Sequence, residues 1–593
     1  MFLPTTPEEM KQLGWDALDI ILISGDSYID SPFIGTAVIG KVLQRAGYRV
    51  GIIAQPDIQT AGDITRLGEP RLFWGVTGGS IDSMIANYTS LKKKRKRDDY
   101  TPGGLNTRRP DRAAIIYTNL IRRNFKNTKP IVLGGLEASL RRVPHYDYWD
   151  DRVRSSILLD AKADYLLYGM AESAVIELAA ALSKNNDPRS IRGLCYLASE
   201  SELAGRTTEY IELPCFETVE KDKKAFTEMF RTFYQNNDPL TARGLYQKQG
   251  NRYLVHNPPA MPLTQAELDG IYAISYERAQ HPHYEKLGKV KALETIKFSI
   301  QTHRGCYGEC NFCAIAVHEG RTVQWRSQES ILAEARRLTA YPDFTGYIRD
   351  VGGPTANMYG FECHDKLRRG SCRDKRCLSP KVCTSLKADH QQQLELLCKL
   401  RRIEGVKKVF VASGIRYDLL LSDRLHGTAY LKEVIGHHVS GQMKIAPEHT
   451  NNAVLRTMGK PGTAALLEFK ALFDKITERA GKEQFLTYYF IAAHPGCTAA
   501  NMKQLKQFIS QNLKMNPEQV QIFLPAPSTW SSVMYYTGLD PFTGKSVFVE
   551  KDLRNKEIQK NIVTGKSAPR QPHKSGATGT ERPLRRKTLR KPV

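Results

Sequence analysis

Acidic residues are scarce relative to basic ones in this 593-residue chain: 62 Asp and Glu face 86 Lys and Arg, a formal charge of +24. Such a surface disfavours cationic partners and favours polyanions. Long apolar runs are missing too. Stretches such as Ala17 to Ile23 fall far short of the roughly 18 residues a spanning helix needs, which excludes a helical membrane span. Cysteine is sparse, with 11 in the whole chain, so a disulfide scaffold is excluded. The opening Met-Phe-Leu-Pro-Thr-Thr-Pro-Glu-Glu lacks the basic and apolar regions of a secretory signal, and a cytoplasmic address is expected. Apolar surface is not lacking: 41% hydrophobic residues and 9% aromatics suffice to fill cores and exclude wholesale disorder.

Short apolar runs alternate with amphipathic stretches over the first part of the chain. Ala17 to Ser24, Tyr48 to Ala54, Leu72 to Val76, Pro130 to Leu133 and Ala163 to Tyr168 read as strands, and Gly35 to Ala46 as a helix. This alternation predicts a doubly wound α/β domain over residues 1–180, with ligands beyond the carboxyl ends of its strands. The cationic run Lys92 to Arg97 is expected to be a solvated loop. Residues 181–290 are polar and irregular and read as a connector. From 291 to 540 the alternation resumes through Ile296 to Thr302, Tyr347 to Val351, Val406 to Val411, Gly441 to Ala446, Phe485 to Ala492 and Val520 to Leu524. About six such units imply a partial or full (β/α) barrel with chemistry at its strand ends. Residues 541–593 read as a basic, largely disordered tail.

Seven of the cysteines lie between Cys306 and Cys383, where clustered thiols argue for metal or catalysis. Cys306, Cys310 and Cys313 form a C-x3-C-x2-C loop after a predicted strand. Three thiolates can wrap one face of an iron–sulfur cube and leave its fourth iron open to chemistry; the paired C-x2-C spacing of zinc knuckles is not matched at the expected distance. Cys363, Cys372, Cys377 and Cys383, in an insertion over 361–390, form a second candidate metal site. Zinc, a second iron–sulfur cluster and unliganded thiols all stay open there.

The C-x3-C-x-Phe-C pattern resembles the signature of the radical S-adenosylmethionine superfamily, whose open iron is chelated by S-adenosylmethionine. By that resemblance Cys306, Cys310 and Cys313 hold a 4Fe-4S cluster and Phe312 lies beside the adenine. Val351-Gly-Gly-Pro-Thr355 resembles the strand end that receives the cofactor's amino group, with Pro354 at the usual Glu position and the backbone of Gly352 and Gly353 left to serve. Val411 to Arg416 resembles the strand contacting ribose and carboxylate, which implicates Ser413 and Arg416; Lys444 to His449 resembles the next and implicates Glu448. Arg109 to Ala113, Gly134 to Arg142, His145 to Trp149 and Ala163 to Glu172 extend the likeness to the YgiQ family of radical-SAM proteins.

The resemblance implies a doubly wound, cobalamin-binding-like domain ahead of a radical-SAM partial barrel. It also implies an enzyme that cleaves S-adenosylmethionine and abstracts hydrogen from a substrate, with an electron donor such as flavodoxin or ferredoxin. Asp30 to Gly35 corresponds to the cobalamin loop, with Pro32 where a ligating His is usual, so the domain either binds cobalamin without that ligand or only shapes a substrate channel. His145 to Trp149 with Arg141 and Arg142 reads either as a polar substrate pocket or as an interdomain stripe. Two further functions fit the sequence: an RNA- or protein-modifying methyl or methylthio transferase of the same superfamily, and a non-catalytic metal-dependent nucleic-acid-binding protein.

Overall fold

Nine strands form the sheet of the front half. In the computed structural model, which describes residues 1–203, 209–517 and 520–565, these are Ile20–Ser24 (β1), Val50–Ala54 (β2), Phe73–Thr77 (β3), Ile131–Gly134 (β4), Tyr165–Leu167 (β5), Leu194–Ala198 (β6), Ile211–Leu213 (β7), Leu245–Gln249 (β8) and Arg252–His256 (β9). The first five are parallel in the order 2-1-3-4-5, a doubly wound arrangement that reverses direction between β1 and β3. Successive side chains of a strand face opposite sides. Accordingly, Ile20 and Leu22 enter one core with helix Glu172–Ser183, while Ile21 and Ile23 enter another with helix Ala113–Asn124.

Residues 181–290 do more than connect. β6 and β9 pair antiparallel beyond β5, β8 pairs antiparallel with β9, and β7 lies parallel to β8, all in the same sheet. The connector expectation is corrected: this stretch extends the front domain by four strands.

The second half is a succession of six parallel strands: Ser299–Gln301 (β10), Asp350–Gly352 (β11), Lys408–Val409 (β12), Gln442–Glu448 (β13), Phe485–Ala492 (β14) and Val520–Ile522 (β15). β10 pairs with β11, the Tyr347–Ile348 segment leading into β11 pairs with β12, an Ile415–Ile445 bridge reaches β13, and β13 to β15 are contiguous. Helices Gln328–Thr339, Gln391–Leu400 and Thr463–Arg479 cover the strands, closing a core that includes Ile300, Val351, Ile445 and Phe490. This is the expected partial barrel.

The tail expectation is corrected over residues 553–564. Leu553–Thr564 is a helix capped by Asp552, with Lys556, Gln559 and Val563 buried. Gln559 accepts from the Ala493 N–H at 3.0 Å and donates to the Cys497 carbonyl at 3.4 Å; Lys556 donates to Tyr148 and Tyr535 at 3.1 and 2.8 Å. Residues 566–593 lie outside the described residues. No helix among the described residues is long and apolar enough to cross a membrane.

Candidate active site

The cysteine loop begins where β10 ends. Arg304 pairs across to Gln324 in a two-residue ladder, and Gly305 then turns the chain at φ +82°, where a Cβ would lie 2.4 Å from the Thr322 carbonyl; no other residue fits that turn. Three groups converge around Gly308. A Cβ there would lie 3.1 Å from the Cys306 sulfur, 3.6 Å from the Cys310 sulfur and 3.2 Å from Arg416 Nη1. Arg416 Nη1 stands 3.7 Å from Cys310 Sγ, the Gly308 N–H donates to Cys306 Sγ at 3.3 Å, and Thr355 Oγ1 lies 3.6 Å from Cys306 Sγ. Arg416 is buried and held by two 2.7 Å bonds to Asp418, a forked pairing that fixes the guanidinium plane.

Among the described residues, no three cysteine sulfurs all lie within 4.8 Å of one another. Tetrahedral zinc at about 2.3 Å from each sulfur would draw its ligands to about 3.8 Å apart. As placed, neither the triad nor the insertion cysteines draw in to that spacing. Burial, and then the neighbouring Cys310 sulfur, push the Cys306 and Cys313 thiols above their ordinary range. A positive metal centre reverses that preference.

The strand ends bring the other expected residues to the same mouth. Asp350 accepts from the N–H groups of Ala412 and Ser413 and from the Ser413 hydroxyl, so Ser413 is fixed beside Gly352, whose Cβ would meet it at 3.5 Å. The Gly352 carbonyl already accepts from the Thr302 N–H at 2.7 Å. At Gly353 a Cβ would meet the His303 ring at 2.6 Å. That ring is buried, its pKa lowered by burial to about 4, and it donates from Nε2 to the Thr355 carbonyl at 3.0 Å. Glu448, the last residue of β13, sits buried at φ +67°, a strained conformation of a kind that clusters at functional sites. Burial raises its carboxyl, opposed by Lys460 and Arg416. Phe312 packs between the front and barrel cores with its ring 6.2 Å from that of His494. His303, Thr355 and Lys460 were not singled out from sequence; only their places beside the Gly-Gly and cysteine motifs pointed to the first two.

A cavity of 490 Å³ lies between the halves. Thr77, Gly79 and Gly135 line it from the ends of β3 and β4, Ala314, Ile315 and His318 from the segment that follows Cys313. It therefore opens at the doubly wound sheet's switch point, where such sheets take ligands, and its volume falls within the usual range for ligand pockets. Three lining residues, Ser80, Glu172 and His318, carry buried polar atoms (Oγ, Oε2 and Nδ1) without hydrogen-bond partners. Pro32 lines the wall, while Asp30 is turned to Lys41 at 3.2 Å.

The second cysteine group is not gathered in the same way. Cys363 is buried, Cys377 and Cys383 are half-buried and Cys372 is exposed. Cys363 and Cys377 pack with Cys306 in a small core around Tyr307, and burial lifts the Cys377 thiol to about 12. In the stretch His145 to Trp149, the space beside His145 is only 10 Å³; Tyr146 stacks on Tyr536 and packs at a tilt against Tyr535, which Tyr148 meets edge-on. Of its two readings, the interdomain stripe is the one observed.

Comparison with known proteins places these features in context. The radical SAM N-terminal family model matches residues 2–299, and that of a domain of unknown function, DUF3362, matches 518–570. A UPF0313 protein of Fusobacterium nucleatum is 56% identical over 95% of this chain and 99% of its own length. One of Thermotoga maritima is 49% identical over 96% and 100%. Among solved structures, the radical S-adenosylmethionine methyltransferase TsrM of Kitasatospora setae, with cobalamin and a [4Fe-4S] cluster bound, aligns with a TM-score of 0.46 at 12% identity, covering 85% of this chain and 75% of that one. The cobalamin-dependent S-adenosylmethionine radical enzyme OxsB, with aqua-cobalamin and S-adenosylmethionine bound, aligns with a TM-score of 0.48 at 13% identity, covering 93% and 57%.

Proposed function

The chain belongs to the UPF0313 (YgiQ) family of radical S-adenosylmethionine proteins, and from that premise we propose that it is an enzyme holding a 4Fe-4S cluster on Cys306, Cys310 and Cys313. The observation that carries this reading is the convergence of the Cys306 and Cys310 sulfurs with the Arg416 guanidinium around Gly308. When bound and reduced, the cluster would supply one electron for cleavage of the S-adenosylmethionine sulfonium into methionine and a radical able to abstract a substrate hydrogen atom.

The chain's own residues position and shield that chemistry. Arg416 sets a positive guanidinium 3.7 Å from Cys310 Sγ, where it would complement the negative charge of the thiolate-bound cluster. Three ligands leave one iron for the amino and carboxylate groups of S-adenosylmethionine. The backbone of Gly352 and Gly353 would receive the amino group, Ser413 and Arg416 would serve the carboxylate and ribose together with Glu448 on the next strand, and Phe312 would lie beside the adenine. Electrons arrive from a carrier such as flavodoxin or ferredoxin.

The cavity between the halves supports a second ligand, and cobalamin is the one proposed for it. The loop Asp30 to Gly35 offers no imidazole, because Pro32 stands in the wall, so a corrinoid there would take no cobalt ligand from that loop. The unpartnered groups of Ser80, Glu172 and His318 are suited to receive amide donors.

Anaerobic reconstitution with iron and sulfide, dithionite reduction and an assay for 5′-deoxyadenosine test the first reading. The wild type is expected to form it and Cys310→Ala is not. A fully loaded cluster that yields none, even with cell extract added, overturns the proposal.

A further inference from the structure

The insertion that carries the second cysteine group also carries an exposed set of cations. Arg368, Arg369, Arg373, Lys375, Lys381 and Lys387 are all exposed, against exposed Asp365, Asp374 and Asp389 between residues 361 and 390. Of these cations only Arg368 has a carboxylate partner, Asp365, at the long distance of 4.0 Å; the others have no ion pair among the described residues. Unpaired cations along one stretch form an electrostatic footprint for phosphates.

The stretch is anchored directly to the cysteine loop. Arg376 donates to the Glu309 carbonyl at 2.9 Å and to Asn311 Oδ1 at 2.6 Å, both residues lying between the triad cysteines. The same guanidinium sits 5.0 Å over the ring of Phe542, on a hairpin turn beside exposed Lys545. Phe542 is 54% exposed although it is a large apolar ring, and Trp530 packs against it at a tilt with ring centres 4.8 Å apart. An exposed, backed aromatic ring next to a row of unpaired cations matches the two parts of a single-strand binding surface: charge for the backbone and a platform for a base. An acidic protein would use the charges but has no need of the ring.

We propose that this surface, running from Arg369 and Arg373 through Lys375 to Phe542, docks a single-stranded nucleic acid beside the cysteine loop. The proposal deepens the function above by naming a substrate class, but rests on residues outside the S-adenosylmethionine site. Phosphates lie on the insertion, one base stacks on Phe542, and a neighbouring nucleotide is brought to the barrel mouth.

The test uses the reconstituted full chain and fluorescence anisotropy of labelled 20-nucleotide poly(U) and poly(dT), titrated at several salt concentrations. Arg373→Glu with Lys375→Glu is expected to weaken binding at least about tenfold and to flatten the dependence of log K on log salt by about 1.4, at about 0.7 for each phosphate no longer neutralised. Phe542→Ala is expected to weaken binding about fivefold or more with the salt slope unchanged. A preference for poly(U) assigns RNA as the source, and for poly(dT) DNA. Equal weakening by Lys94→Glu with Lys96→Glu, exposed cations of the front half outside this surface, means that net charge alone holds the polyanion and overturns the proposal. So does displacement of the oligonucleotide by polyglutamate at equal charge, which indicates an acidic protein, or a Phe542→Ala variant that binds as the wild type does. Binding is read without S-adenosylmethionine. Lost binding with 5′-deoxyadenosine still formed therefore fails this surface alone, and retained binding without 5′-deoxyadenosine fails the proposed function alone.

Discussion

The cysteine loop and the insertion packed on it carry the same kind of residue and hold it in opposite ways. In the loop, three cysteines fall within eight residues, and Gly308, Thr355 and Arg416 direct polar contacts at their sulfurs. In the insertion, four cysteines spread from Cys363 to Cys383; one is exposed, and two pack as apolar groups around Tyr307. The contrast extends to the buried charges behind each. Asp418 supports the loop through Arg416, and Glu362 supports the insertion through Lys366 at 3.0 Å. Clustered cysteine alone therefore says little; the loop proposed to hold the cluster differs in having three polar groups at its sulfurs, where the insertion has Lys366 Nζ at 4.0 Å from Cys377 Sγ.

The sharpest break in that comparison comes from Arg416→Ala, which strands the buried Asp418 carboxylate. The loss expected for a broken buried pair is about 3 to 5 kcal/mol, together with failure to retain iron, read by chemical denaturation and iron analysis. A variant that loads iron and unfolds like the wild type would show that the loop is held by something else. Lys366→Met strands Glu362 in turn, but that carboxyl can neutralise itself by taking a proton. A smaller loss of about 1 to 3 kcal/mol is expected, with faster proteolysis of the insertion and iron retained.

Acid should separate the two supports further. Burial pushes the Asp418 carboxyl up, but Arg416 outweighs it and the net displacement is downward. Its contribution is present above the ordinary Asp range near pH 4 and is lost as pH falls through the lowered folded value. Burial raises Glu362, only partly offset by Lys366, so its cost appears as pH climbs through the ordinary Glu range to the raised folded value. Melting curves from pH 3 to 7 should show the deficit of Asp418→Asn shrinking as pH falls. The position of wild type relative to Glu362→Gln should worsen as pH rises. Parallel curves would remove the distinction. The smallest effect is expected at Cys372: it should be the first thiol alkylated by iodoacetamide, and Cys372→Ser should leave the iron content at the roughly four per chain of one cube.

How much of this was legible depends on what fills the interior. β1 to β5 are buried runs such as Ile-Ile-Leu-Ile-Ser, and their boundaries could be read to within a few residues. β8 was missed because two of its three inward positions are Gln247 and Gln249, which satisfy each other and the Pro214 carbonyl inside the sheet; buried amides erase the alternation that marks a half-buried strand. The final helix was missed for the same reason. Its buried stripe is Lys556, Gln559 and Val563, which has helical spacing but only one apolar member. At the site, the cysteine spacing carried its own signal and the strand-end residues followed by resemblance. Lys460 belongs to no pattern and meets Glu448 only through the fold.

That final helix also sets an order of events in time. Every residue proposed to hold the cluster or its partner is synthesised before Lys460, whereas the Gln559 and Lys556 contacts that tie β14 to the hairpin at His145 come last. At the about 5 to 20 residues per second of translation, the cysteine loop leaves the ribosome seconds before the helix that closes over the barrel. The nascent chain thus passes through an interval in which its thiols have emerged and its last tie is missing, so iron delivered during synthesis meets a more open protein than iron delivered afterwards.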